Sequence, residues 1–98
     1  MDILLQLNNY FSKQNSRQIA FFAINNKKIE YLIELSISET YPTNARASWV
    51  LSTMMEINKD AVKDYMDLIC DNMLLLPNKS VERNYLKILS YHNIPQHI

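Results

Sequence analysis

Ninety-eight residues pass without a single glycine. Such a chain has no residue that reaches a positive φ free of a Cβ clash, so turns of that kind fall to other residues, with asparagine the usual substitute. This disfavours a hairpin-rich β fold. Polar breaks rich in Asn, Ser and Thr punctuate the chain where helical periodicity stops: Asn15-Ser16, Asn25-Asn26, Thr43-Asn44, Asn58 and Asn78 to Ser80.

These breaks divide the sequence into six segments. The first, Asp2 to Ser12, sets Ile3, Leu4, Leu7, Tyr10 and Phe11 on one face at helical spacing. The second, about Arg17 to Asn25, holds the apolar run IAFFAI and is expected as a buried helix because no strand partner is in view. The third, Lys27 to Ser38, aligns Ile29, Leu32 and Ile33. The fourth is RASWVLSTMMEI, Arg46 to Ile57. The fifth, about Lys59 to Leu75, is predicted as the longest helix, with Val62, Tyr65, Met66, Ile69 and Met73 facing one way. The sixth starts at Ser80 and aligns Val81, Tyr85, Ile88 and Leu89. Pro42 and Pro77 fall in the loops, where a missing N–H does no harm. Six helices with short links make three helical hairpins in an all-α fold.

At this length one domain spanning residues 1–98 is expected, with room for one core. Apolar residues make up 48% and charged residues 20%, the balance of a folded chain. Ten basic and ten acidic residues cancel, which counts against strong sequence-independent binding of nucleic acid. The start, MDILLQLNNYF, carries an acidic residue where a secretory signal carries positive charge. The longest apolar run, Ile19 to Ile24, is far short of the ~20 residues that cross a bilayer. The lone cysteine, Cys70, has no intrachain partner and fits a reducing compartment. The expected location is the cytoplasm, away from membranes.

Segments three and four lie over segments five and six. Tyr31-Leu32 matches Tyr65-Met66 and Leu35 matches Ile69 at an offset of 34 residues, and Arg46 matches Arg83 at 37. Offsets in this range are those of helical-hairpin repeats, and they favour a short α-solenoid over an unrelated bundle. The stretches ARASWVL and SVERNYLKILSYHNIP, each following a Pro-containing loop, resemble the second helices of HEAT-type repeats, where a small or β-branched residue and an Arg open the inner helix. The resemblance, to bacterial armadillo-like HEAT proteins, covers the chain from about Ile19 onward. It implies a right-handed α/α superhelix of about three hairpins and no particular activity. The final NIPQHI departs from the pattern, since another hairpin would ordinarily follow. Either a fragment or a short array without a polar C-terminal cap is expected.

The one tryptophan is out of place on this scheme. Ala47, Val50, Leu51, Met54 and Ile57 cluster on one side of the fourth helix, and Trp49 lies well round from them, near Ser52 and Glu56. In a stacked array that second face meets the next hairpin, which predicts Trp49 as a buried wedge between repeats. A wedge of this kind would be worth ~3 kcal/mol or more. The alternative is an exposed aromatic anchor on a binding surface, in company with Arg46.

Asp60, Asp64, Asp67 and Asp71 form an acidic stripe on the fifth segment. A helix spaces carboxylates in a line and cannot wrap a cation, so a solvated face is expected and no metal. Lys79, Arg83 and Lys87 form the opposite stripe on the sixth segment. With Arg46 they are the candidate interaction residues. HEAT-like proteins of one kind bind DNA through basic helix ends, so the resemblance admits that role; the plainer reading is a solvated face loosely paired with the acidic stripe. Cys70 sits at the edge of an apolar face, His92 and His97 fall in the last seven residues, and no phosphate loop or zinc spacing is present. No enzyme and no cofactor are expected. The function expected is a protein-interaction or scaffold module; the alternatives are a nucleic-acid-binding domain and a unit that self-associates through its uncapped C-terminal hairpin.

Overall fold

In the computed structural model, which describes residues 1–9 and 11–92, the chain is all-helical and no strand occurs among those residues. The helices are α1 (Ile3–Asn8), α2 (Lys13–Asn25), α3 (Ile29–Ser36), α4 (Thr43–Ile57), α5 (Met66–Asp71) and α6 (Lys79–Tyr91). Two 3-10 segments, Lys59–Tyr65 and Asn72–Leu74, flank α5. Expectations that concern Tyr10, His97 or the NIPQHI end lie outside the described residues.

Side-chain caps open four of the eight described helical segments. Asp2, Ser12, Asn58 and Asn78 each accept a backbone N–H from the turn they open, the Asn78 Oδ1 to Val81 N distance being 3.0 Å. Ser12 starts α2 four residues ahead of the predicted Arg17, so the Asn15-Ser16 break lies inside a helix. Ser16 is instead buried and donates to Thr53 Oγ1 at 2.8 Å. Thr43 and Asn44 fall in the first turn of α4, where both are buried.

The left-handed turn forced on a glycine-free chain appears after α2. Lys27, not an asparagine, takes φ 56°. The Asn26 N–H bonds Phe22 O at 2.9 Å and the Lys28 N–H bonds Ala23 O at 3.0 Å, closing the last turn of α2 in the way a glycine would otherwise permit.

The fifth segment is not one long helix. Asn58 accepts from Asp60 N, Ala61 N reaches back only three residues to Asn58 O, and Met66 N reaches Lys63 O, so the first half winds as a 3-10 helix. Like charges four apart, Asp60 with Asp64 and Asp67 with Asp71, weaken a continuous α-helix, and Asp competes with the backbone for hydrogen bonds. Val62 and Ile69 still reach the core from the two halves.

The hub of the fold is α4, which packs most extensively on α3 and α6 and also touches α1, α2 and the Lys59–Tyr65 segment. The buried apolar residues of all six helices form one core cluster around α4. Burial of α4 is nearly all-round: Ala47, Val50, Leu51 and Met54 are joined by Ser48, Ser52, Thr53 and Met55. The buried hydroxyls are satisfied locally or across helices, Ser48 Oγ donating to Ala45 O at 2.7 Å and Ser52 Oγ to Trp49 O at 2.9 Å. Small polar residues let neighbouring helices approach closely. Further side-chain bonds bind α4 to α1 and α6: Thr43 to Asn8 (2.7 Å), Asn78 to Asn44 (3.1 Å) and Asn84 to Ser48 (2.9 Å).

The amphipathic pattern of α6 is the cleanest in the chain. Val81, Tyr85, Ile88 and Leu89 are fully buried, while Lys79, Arg83 and Lys87 point to solvent. The Tyr85 hydroxyl lies 2.7 Å from Ser36 Oγ in the interior. No helix among the described residues is long and apolar enough to cross a membrane.

Candidate functional site

Where the first turns of α4 and α6 run side by side, they leave a cleft of about 390 Å³. One wall is the approach to α4 and its first turns: Tyr41, Pro42, Ala45, Arg46 and Trp49. The other is the matching part of α6: Ser80, Arg83 and Asn84. Spacings of three and four residues put Ala45 with Trp49, and Ser80 with Arg83 and Asn84, on single helix faces. The Asn44–Asn78 and Ser48–Asn84 bonds tie the two helices together along the cleft.

Trp49 is 42% exposed, so it is not the buried wedge expected from sequence. Every face of α4 directed at another helix is already filled by aliphatic, Ser or Thr side chains, and Trp49 occupies the face left over. It nevertheless contacts the preceding part of the chain, because the Phe11 ring meets it edge-on with centroids 5.2 Å apart. The remainder of the indole lines the cleft.

Arg46 is half-buried and structurally committed. One of its terminal nitrogens, Nη1, donates to Leu7 O at 2.8 Å and Asn9 O at 3.3 Å, and its guanidinium lies 5.5 Å from the Phe11 ring centroid. It thereby satisfies carbonyls at the end of α1, a short helix without a basic residue in its last turn. Arg83 is exposed, and no carboxylate pairs with it among the described residues.

Three of the five sequence-predicted residues, Arg46, Trp49 and Arg83, therefore share one cleft. Lys79 is 90% exposed and sits 3.9 Å from Glu82 on its own helix, and Lys87 lies one turn past Arg83; neither lines the cleft. Tyr41, which is 69% exposed, and Asn84 were not singled out from the sequence. Tyr41 carried a usable signal, an aromatic beside a proline in a loop; Asn84 carried none.

The acidic stripe Asp60, Asp64, Asp67 and Asp71 is exposed along the bent fifth segment. Among the described residues no three His, Cys, Asp or Glu side chains gather as metal ligands. Cys70 is half-buried, and burial followed by the charges of Asp67 and Asp71 pushes its thiol pKa up, which keeps it protonated and a poor nucleophile. His92 caps the C-terminus of α6 through its backbone N–H to Leu89 O at 3.0 Å. A second depression, of about 460 Å³ beside α1, brings Asp2 and Lys28 together among Met1, Ile3, Phe22 and Tyr31. Asp2 and Lys28 carry opposite charges there.

Comparison with known proteins adds no family: no family model matches the chain, and neither a curated protein nor a solved structure matches it.

Proposed function

We propose that this chain is a protein-interaction module with no catalytic role, built as a short right-handed array of three HEAT-like helical hairpins. In support of the array, three side-chain bonds join the second helices of successive hairpins at separations of 34 to 37 residues, Asn44–Asn78 (34), Asn84–Ser48 (36) and Ser16–Thr53 (37), whereas Thr43–Asn8 (35), Arg46–Leu7 (39) and Ser36–Tyr85 (49) join a first helix to a second one. The first three separations fall in the range of the offsets, 34 and 37, at which the sequence matches itself, as expected where neighbouring positions of successive units meet.

The observation that carries the functional reading is the α4–α6 cleft, where an exposed Trp and Tyr stand beside two arginines on a hydrogen-bonded framework. Aromatic and Arg side chains around a preformed depression are the usual anchors of protein recognition. Cys70, whose pKa is raised, is not among the residues that line the cleft.

The test is affinity capture from a lysate of the source cells, with nuclease-treated and untreated arms, comparing the natural chain with Arg83→Glu. A specific protein that survives nuclease and is lost with the variant supports the module. Partners that ignore the variant place the interaction elsewhere, and capture abolished by nuclease replaces the reading with nucleic-acid binding.

A further inference from the structure

We propose that the α4–α6 cleft takes an acidic peptide segment, with its carboxylates on Arg83 and Arg46, one of its backbone N–H groups on Asn84, and an apolar side chain against Trp49. The inference rests on the interaction-module reading of the same cleft and assigns its ligand chemistry.

Charge is the first ground. The lining contains two guanidinium groups and no carboxylate, in a chain whose basic and acidic residues are equal in number. Positive charge is therefore concentrated here, while the exposed Asp60, Asp64, Asp67 and Asp71 belong to the Lys59–Tyr65 segment and α5. Lys87, one turn beyond Arg83, extends the basic strip along α6.

The second ground is pre-organisation. A guanidinium carries five N–H donors in a fixed plane, and the Leu7 and Asn9 carbonyls occupy only Nη1 of Arg46. The two carbonyl bonds and the cation–π contact with Phe11 fix the guanidinium, so the donors on its other nitrogens are presented without the entropy loss of ordering a free side chain. Arg83, which has no ion-pair partner among the described residues, supplies the second set.

The third ground separates a peptide from a phosphate backbone. Ser48 Oγ donates its one hydrogen to Ala45 O at 2.7 Å, so toward Asn84 it can only accept. The Asn84 amide must then direct Nδ2 at Ser48, which leaves its Oδ1 as an acceptor beside the cleft. A peptide offers a backbone N–H at every residue to such an acceptor, whereas a phosphate group offers acceptors only. At about 390 Å³ the cleft holds a few side chains of a short segment.

Trp49 is the only tryptophan, so its fluorescence reports on the cleft directly. The probes are an end-blocked Glu-Glu-Leu-Glu-Glu peptide, its Gln-Gln-Leu-Gln-Gln counterpart and a ten-nucleotide oligouridine. Saturable change is expected with the acidic peptide, and binding about tenfold weaker for the Gln peptide and for the acidic peptide on Arg83→Gln. Arg83 is exposed, so Arg83→Gln should keep the natural circular dichroism spectrum. No saturation with the acidic peptide, or equal binding of the Gln peptide, overturns the proposal, and tighter binding of oligouridine overturns it in favour of single-stranded nucleic acid. A captured protein that depends on Arg83, together with an acidic peptide that does not bind, defeats the ligand class and spares the module; loss of both defeats the module as well.

Discussion

The rings of Trp49 and Phe11 meet edge to face, with centroids 5.2 Å apart and planes at 66°. Phe11 is at the same time the platform for Arg46, whose guanidinium lies 5.5 Å from its centroid. A residue in the link between α1 and α2 thus organises both the indole and the guanidinium of the cleft. Two of the three cleft residues on α4 are held by one aromatic ring.

Because Trp49 is 42% exposed, truncating it removes an edge contact and part of an apolar wall, not a core side chain. Trp49→Ala is expected to lower stability by about 1–2 kcal/mol, below the range for a fully buried Trp. A double-mutant cycle with Phe11→Leu should give a coupling of about 0.5–1.5 kcal/mol by urea unfolding. A loss above about 3 kcal/mol would show that the indole is buried after all.

Arg46 differs from Arg83 in what its removal exposes. Arg46→Met keeps the aliphatic stem but leaves the carbonyls of Leu7 and Asn9 without their donor. A loss of about 1.5–3 kcal/mol is expected, with hydrogen exchange rising first in α1. Arg83→Met should change stability by less than about 0.5 kcal/mol. Equal effects would contradict the division of labour between the two arginines.

The pattern of α6 was legible in the sequence: the aligned Val81, Tyr85, Ile88 and Leu89 are all buried, and Lys79, Arg83 and Lys87 are all outside. Other features were not, for identifiable reasons. A helical wheel assumes one buried face, but α4 is surrounded, so its Ser and Thr positions read as solvent-facing while they were packing surfaces, and Trp49 read as a wedge. The charge-free run from Ala47 to Met55 was the available sign of all-round burial. The fifth segment kept its apolar period through a change of helix type, because the three residues of 3-10 helix from Val62 to Tyr65 complete one turn and the four from there to Ile69 make slightly more than another, which returns Ile69 to the core side. Asn84 belongs to the cleft only through a bond to Ser48, a tertiary relationship with no local signature.

Lys27 holds the one positive φ found among the described non-glycine residues. A Cβ in that region costs roughly 1–2 kcal/mol, part of which is offset in a glycine variant by the greater freedom of its unfolded chain. Lys27→Gly is expected to raise stability by about 0.5–1 kcal/mol and to leave the spectrum of the cleft tryptophan unchanged. Lys27→Val, with branching at Cβ, should lower stability; a thermal melt of the three proteins gives the order.

Tyr85 provides the pH dependence. It is fully buried, with its hydroxyl 2.7 Å from Ser36 Oγ. Burial raises its pKa above the ordinary 10.0, and the Ser36 and Asn72 side chains only partly oppose the shift. Below pH 10 the phenol is neutral in both states and its contribution to stability is fully present. Above that, the unfolded chain releases the proton while the folded chain retains it, so stability falls by about 1.4 kcal/mol per pH unit until the folded value is passed. Tyr85→Phe removes this dependence. At pH 8 the variant is expected to lose only about 1 kcal/mol, since Ser36 Oγ still donates to Ile33 O at 2.6 Å. Urea unfolding at pH 8 and pH 11 should therefore bring the two proteins closer together at the higher pH, or reverse their order. A constant gap between them would mean that the Tyr85 hydroxyl ionises as freely in the folded chain as in the unfolded one, and that the α3–α6 seam is open to water at this point.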